Sequence, residues 1–460
     1  MYNNELIYNE LINRFTKSEE YSNFDIKNIK SITGLKGGSD ALFFASVFQD
    51  NSILIVKENE SDAMLLSQSL NFYNIPNYYF PDYDTVAFAK MSPITDIAQD
   101  RINILYKLIN KEKCIIITTI NAVTRKIASR KDLEKIPVHL NVGGKLELDN
   151  FRLTLYDMGY VIEREVSEKG TASVRGSIID VFSVEYDNPI RIEMFDDEIE
   201  SIRFFNIEDG RSFQSIKDII IYPVREVIYN DIQVEEFINN NSDMKDEIKD
   251  NIMKRKYFAG SENLLSMFYF NLETIFDYFD YGYVFIDDAL KLKAKLINIL
   301  DIIRENFNDI DNIFDIIGSI DKLYIDSNYF IEIIKKSINI SPFITDSDVY
   351  KFNFSGGVSF KSRLTDFLDY VKEYREKDYL IILSTGHYDQ SNRFYEIMKD
   401  LSPIIIAAES EDKNNSEEKN ELKKYNVQKK NSENIEDTKE NYQNINLEEN
   451  TEDTENIDKE

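Results

Sequence analysis

Hydrophobic positions change period along this chain, and the changes divide it. Residues 4–16 carry the spacing of an amphipathic helix. After them, short apolar runs alternate with helical patterns. "IKSIT" (29–33), "ILIVK" (53–57), "NYYF" (77–80) and "CIIITTI" (114–120) predict strands. Between them the pattern predicts a helix from Asp40 to about Gln49, a helix capped by Ser61, and a helix over 92–110. The unbroken apolar run at 114–120 suits a strand buried on both faces. This βαβα order implies a parallel sheet covered by helices.

The pattern changes near Phe151. From Tyr160 to Val224 short alternating strands are separated by turn residues such as "SEKG", "YDNP", "FDDE" and "IEDG". Strands this short, joined by turns, predict a small, mainly antiparallel module. From Arg225 to about Ile340 the signal is mostly helical, with "SENLLSMFYFNLETIFDYF" (261–279), a strand at 283–287 and a helix over 287–306. Residues 349–408 return to a compact α/β pattern that starts with the strand "VYKFNF". The fold class read here is α/β. It is a split α/β domain (1–150 and 226–340) around an inserted β-rich domain (151–225), followed by a small α/β domain (341–408) and a tail (409–460).

Composition narrows the chemistry. The chain has 460 residues and a formal net charge of −29. Residues 409–460 hold 17 acidic and 8 basic residues and have no apolar period, Gly, Pro or Cys, so the tail is expected to be disordered. The rest still carries a net −20, which opposes a large nucleic-acid footprint because phosphate repels it. One cysteine, Cys114, and two histidines, His139 and His387, leave no credible zinc site. Asp196, Asp197 and Glu198 read as a solvated turn, not as a metal site. No basic leader precedes an apolar stretch, and no run approaches a membrane span. A cytoplasmic protein without a membrane contact is expected.

"SITGLKGGSDALFFASVF" places a turn with Gly34, Gly37 and Gly38 between a strand and a helix, where a phosphate loop belongs. A working loop, GxxxxGK[ST], carries a lysine for the phosphates and a hydroxyl for Mg²⁺ six and seven residues after its first glycine, here Gly34. Asp40 and Ala41 stand in those places. The turn is read as a degenerate phosphate loop that holds no nucleotide.

In "IRIEMF", strand alternation puts Ile190, Ile192 and Met194 on one side and Arg191, Glu193 and Phe195 on the other. An arginine beside an aromatic on the polar side has the composition of an interface hot spot. The same residues also fit a solvated face with a locally packed phenylalanine. Arg175, in "GTASVRGSIIDVF", lies on a neighbouring strand.

These stretches, with "FPDYDTVAFAKMSPITDIAQDRINILYKL" and "ENLLSMFYFNLETIFDYF", resemble the N-terminal region of the transcription-repair coupling factor (Mfd) family, itself similar to UvrB. The resemblance runs from about residue 25 to 285, more loosely to 408, and is most specific over 158–212. It implies a UvrB-like α/β domain split by an inserted domain. It also implies a non-catalytic adaptor that recruits UvrA to stalled RNA polymerase, with Arg175, Arg191 and Phe195 at the positions that contact UvrA in the family. The family's ATP- and Mg-dependent DNA translocase would lie C-terminal, and after Ala408 this sequence shows only the acidic tail, with no Walker motif. Only a dozen residues separate "NYYF" from the next helix, leaving no room for the aromatic hairpin with which UvrB grips DNA. Weak DNA binding at most is expected, with no cofactor on this chain. Two other readings stay open: a divergent NTPase built on "GLKGGSDA", and a purely structural module in which Arg191 and Phe195 would be buried.

Overall fold

The computed structural model describes residues 4–228, 231–240, 246–269, 271–308, 319–342, 349–360, 363–377, 379, 381–385, 393–394, 396–398 and 404–407. The expected disordered tail at 409–460 and His387 lie outside them. The chain divides into two units, Tyr8–Gly357 and Met1–Ile7 with Val358–Glu460.

In the larger unit the strands run β1 (Ser31–Thr33), β2 (Ser52–Lys57), β3 (Asn77–Phe80), β4 (Ile115–Thr119) and the short β5 (Ile127–Ala128). Then come β6 (Val138–Asn141), β7 (Val161–Ile162), β8 (Thr171–Arg175), β9 (Ile178–Val181), β10 (Ile190–Phe195), β11 (Glu198–Phe205), β12 (Ser212–Ile216) and β13 (Asp218–Ile221). The short β14 (Leu272–Glu273) pairs back with β5, and β15 (Gly282–Asp287), β16 (Ile338–Ile340) and β17 (Val349–Lys351) follow.

Seven strands form one parallel sheet in the order β17-β1-β16-β15-β2-β4-β3. The alternation along β2 builds two cores. Ile53 and Ile55 join Ile115 and Ile117 beneath the helices Ser39–Phe48 and Glu60–Phe72, while Leu54 and Val56 join Ile116 on the opposite side. Every residue of β2 and β4 is buried, as expected for strands covered on both faces.

Four local expectations change. Asn59, not Ser61, caps the helix Glu60–Phe72: its Oδ1 accepts from the Asp62 N–H at 2.9 Å, and the Ser61 hydroxyl supports it. The expected helix over 261–279 is broken into a 3₁₀ turn (Ser261–Leu264) and the short helices Leu265–Phe268 and Ile275–Tyr278, with β14 between them. A capping box of Thr274 and Asp277 restarts the helix there, and Asn263 is held by the Phe88 N–H and the Ala89 carbonyl. Val349–Lys351, which the sequence places with the small α/β domain, pairs with β1 at the edge of the large sheet. Residues 138–141, placed before the inserted domain, pair as β6 with β13 and so belong to the insert.

The insert is a six-stranded sheet in the order β12-β11-β10-β9-β8-β7, antiparallel except for β7 with β8. Its inner face, with Ile179, Val181, Ile190, Ile192, Met194, Ile199 and Ile202, joins the main core. Ile199 and Ile202 are three residues apart. They reach the same face because a bulge shifts the register of β11 between them.

A buried charged seam ties the insert to the parallel-sheet body. Arg101, on the helix Thr95–Ile109, is fully buried. Its Nε donates to Glu226 Oε1 at 2.7 Å and its Nη1 to the Pro81 carbonyl at 2.7 Å. Tyr83 donates to the same Glu226 oxygen at 2.9 Å, and its ring lies against the guanidinium groups of Arg101 (4.4 Å) and Arg125 (4.7 Å). Glu226 stands just past β13, where the chain leaves the insert.

In the smaller unit, the helix Leu364–Glu376 and two parallel strands, β18 (Ile382–Thr385) and β19 (Ile404–Ala407), are described. Among the described residues no helix is long and apolar enough to cross a membrane.

Candidate functional site: the outer face of the inserted sheet

The glycine-rich turn and the outer face of the insert are the two places where the sequence raised chemistry. The turn follows β1, as predicted, and Gly34, Gly37 and Gly38 all take positive φ. Two of them have local reasons to be glycine. A Cβ on Gly34 would lie 1.9 Å from the Phe352 carbonyl oxygen, beside β17. Gly38, at φ 81°, is the residue before the helix Ser39–Phe48 and needs the left-handed conformation. The adjoining cavity, about 320 Å³, is lined by Glu58, Asp62, Asp287 and Asp288 as well as Lys36 and Lys291. Lys57 Nζ lies 2.8 Å from Asp287 and 3.8 Å from Asp40. Asp40 therefore faces a lysine already shared with a second carboxylate, and Ala41 is buried.

On the insert, cross-strand pairing lines up Ser173, Asp180, Arg191, Arg203 and Ser215 in one row over β8 to β12. Directly paired residues share a sheet face, so this row is the face turned away from the core. Burial along β10 alternates as expected, with Ile190, Ile192 and Met194 inside. Arg191 holds Asp180 with a two-point grip, Nε to Oδ1 at 2.7 Å and Nη2 to Oδ2 at 2.9 Å. Its Nη1 donates to the Gly210 carbonyl at 3.2 Å, and its guanidinium lies 4.4 Å from the centre of the Phe205 ring. The side chain is 20% exposed. Hydrogen bonding to Asp180 raises its pKa above the usual arginine value.

Arg175 reaches the same carboxylate from β8. Its Nη2 donates to Asp180 Oδ2 at 2.8 Å, and its Nη1 lies 3.6 Å from Glu165. Its side chain is 41% exposed, whereas that of Asp180 is 2% exposed. A small apolar cluster of Val166, Phe182 and Phe205 lies on this side of the sheet, beneath the arginine. Arg203 pairs with Glu193 in the same face.

Phe195 ends β10 and is 76% exposed, the most exposed large apolar side chain among the described residues. The turn after it places Asp196 at φ 56°, and the tip is braced from residues 143–147. Leu146 N–H donates to the Asp197 carbonyl at 2.8 Å, and Lys145 Nζ pairs with the Asp197 carboxylate at 2.8 Å. The phenylalanine thus sits on a supported hairpin rather than a free loop.

Arg175, Arg191 and Phe195 therefore lie on one sheet face, with the two arginines joined through a residue the sequence reading did not single out. Asp180 was legible in principle: pairing "SIIDV" antiparallel to "IRIEM" sets its carboxylate opposite Arg191. Phe205 and the Gly210 carbonyl depend on the return of β11 and its turn and had no comparable signal. The reading that Arg191 and Phe195 are both buried does not hold for Phe195.

A supported sheet face with paired arginines and a proud aromatic has the composition of a protein-interface centre. Residues 138–227 match the UvrB interaction domain family, a range that takes in β6 to β13 and Glu226. The chain is also similar to proteins named transcription-repair-coupling factor. It is 28% identical over 260 residues to the one from Haemophilus influenzae, which covers 54% of this chain and 23% of that protein. It is 28% identical over 203 residues to that of Bacillus subtilis (43% and 17%) and 25% over 206 residues to that of Escherichia coli K12 (44% and 18%). The match thus spans about a fifth of the length of these relatives, and it is consistent with the N-terminal region of a transcription-repair coupling factor, the family the sequence resembles.

Proposed function

We propose that this chain acts in transcription-coupled nucleotide excision repair as the adaptor region that recruits UvrA to stalled RNA polymerase. The contact surface is the outer face of the inserted sheet, with Arg175, Arg191 and Phe195. The observation that carries this reading is Phe195, a large aromatic held out from a braced hairpin beside an arginine row. An exposed aromatic with neighbouring arginines is what a desolvated interface centre needs. The large unit supplies a rigid mount for that face and no chemistry of its own. RNA polymerase and DNA would be engaged by other parts of the complete family member, and the protein would work in the cytoplasm.

The glycine-rich turn is read as a phosphate loop that has lost its function. A triphosphate there would meet Asp40 and the acidic cavity wall, with the nearest buried lysine already paired. Neither ATP nor Mg is expected as a cofactor of this chain. A true ligand present at a hundredfold excess over Kd would stabilise the fold by about 2.7 kcal/mol. No ATP-dependent rise in melting temperature is expected, and a clear rise that is lost on Gly37→Ala would favour the NTPase reading instead.

The adaptor reading is tested by titrating purified UvrA against the chain and against Arg191→Ala and Phe195→Ala, with circular dichroism on each variant. Binding of the wild type and its loss in both folded variants is the expected result. No binding at tens of micromolar, or variants that bind like wild type, would overturn it.

A further inference from the structure

We propose that Asp180 is a positioning residue of this face: one buried carboxylate fixes two guanidinium groups so that a partner meets them already oriented. The inference rests on the reading of this face as the UvrA contact. Arg191 spends its Nε and one Nη2 hydrogen on Asp180 and one Nη1 hydrogen on the Gly210 carbonyl. A guanidinium carries five N–H groups in a rigid fork, so two of Arg191 stay available. Arg175 spends one Nη2 hydrogen on Asp180 and points Nη1 toward the exposed Glu165 at 3.6 Å, a looser contact.

Asp180 itself makes no useful outward contact, since only 2% of its side chain is accessible. It stands on β9, between the strands that carry the two arginines, directly opposite Arg191. Below the Arg191 guanidinium the Phe205 ring closes the other side. The planar group is therefore held by a carboxylate at its edge and an aromatic at its face. Arginine side chains otherwise lose rotamer entropy when a partner immobilises them. Here that ordering is done within the fold, and binding does not have to supply it. The carboxylate also sets the partner's chemistry. With Glu165 beside Arg175 and Glu193 on Arg203 the face is close to charge balance, so the oriented outward N–H donors, and not a net charge, suit carbonyl or carboxylate acceptors on the partner.

The test uses the full chain and purified UvrA. Asp180→Asn keeps the shape and removes the charge, and Asp180→Glu keeps the charge one methylene further out. Asp180→Asn should weaken binding about tenfold or more, as expected for loss of charge-assisted hydrogen bonds. It should remain folded, because both arginines can turn to water. Asp180→Glu should recover part of the loss. In an Arg175→Ala/Arg191→Ala background, Asp180→Asn should cost almost nothing further, since a positioning residue has nothing left to position. An unweakened Asp180→Asn, or a loss that persists in full without the arginines, overturns the proposal. A partner-independent measurement separates this proposal from the UvrA reading. The arginine Nε–H NMR signal lost in Arg191→Lys should exchange slowly with solvent in wild type and fast in Asp180→Asn. If wild type shows that protection but does not bind UvrA, the UvrA reading fails and the positioning role stands. If Arg191 Nε–H exchanges freely in wild type, the positioning role fails whatever UvrA does.

Discussion

The seam behind the insert and the face in front of it use the same pair of groups in opposite ways. At the seam, Arg101 and Glu226 are removed from water and enclosed by Tyr83, Phe80 and the Pro81 carbonyl. On the face, Arg191 and Arg175 grip Asp180 but keep their outer edges accessible. A buried pair is costly to assemble and far costlier to break, because the surviving partner is left as an unpaired charge. On the face the carboxylate is just as buried, but it is shared, so the loss of Arg191 still leaves Arg175 on Asp180. The depth of the arginine therefore decides whether it joins two parts of one chain or remains available to a second chain.

The sharpest contrast should come from Arg101→Met. It strands Glu226 in the seam and should destabilise the larger unit by about 3–5 kcal/mol, read by urea denaturation. A variant as stable as wild type would break the comparison at its first term. Arg191→Ala should leave the unfolding midpoint nearly in place yet cost on the order of 2 kcal/mol in UvrA binding. Phe195→Ala should cost a similar amount of binding, with even less effect on folding, because the ring is mostly in solvent. Arg191→Lys should recover binding only in part, since an ammonium cannot reproduce the two-point grip. If Arg191→Ala unfolds the chain as Arg101→Met does, the two regions are not different in kind.

A smaller effect concerns Asp82, beside the seam. Burial raises its carboxyl pKa above the ordinary aspartate value, with Arg101 and the Tyr83 N–H offsetting part of that shift. An acid whose pKa is raised by folding is penalised only while ionised. The penalty is absent below the unfolded-state value and grows as pH rises through the folded-state value. Asp82→Asn should therefore be slightly more stable than wild type at neutral pH, and the gain should shrink to nothing as the solution is acidified below the ordinary aspartate range. Melting temperatures across that range check the sign. A variant less stable at neutral pH would mean that the carboxylate contributes to the seam as Glu226 does.

Much of the larger unit was legible from periodicity alone. β1 to β4 and the helix Thr95–Ile109 fall where apolar runs and helical spacing put them. The inward set of β10 followed from strand alternation. The unread parts depended on partners distant in sequence. The start of the insert at β6 is defined by its pairing with β13, almost eighty residues on, and "VHLN" alone has no strong alternation. The 261–279 segment has enough apolar residues for one helix, but Thr274 and Asp277 spend their side chains on local backbone, Asn263 is held by Phe88 and Ala89 far away in sequence, and the helix is divided. Arg101 gave a faint signal, a charge on the apolar stripe of its helix, whereas its partner Glu226 gave none. At the candidate site the three outer-face residues were visible as a pattern, and Asp180 became visible only once β9 was laid beside β10.

The strand order of the large sheet also sets a timetable. β1 does not pair with β2. Its neighbours are β16 and β17, and β15 separates β16 from β2. When β4 leaves the ribosome, the sheet is thus in two pieces, and the two strands that join them, β15 and β16, are complete only at Ile340. At roughly 5–20 residues per second, the interval is on the order of ten seconds or more. Meanwhile the insert, whose strands pair mostly with near neighbours, can close first. The nascent chain would carry its finished insert ahead of a body with open apolar edges. That interval is when chaperone capture, or a wrongly matched edge, has its opportunity.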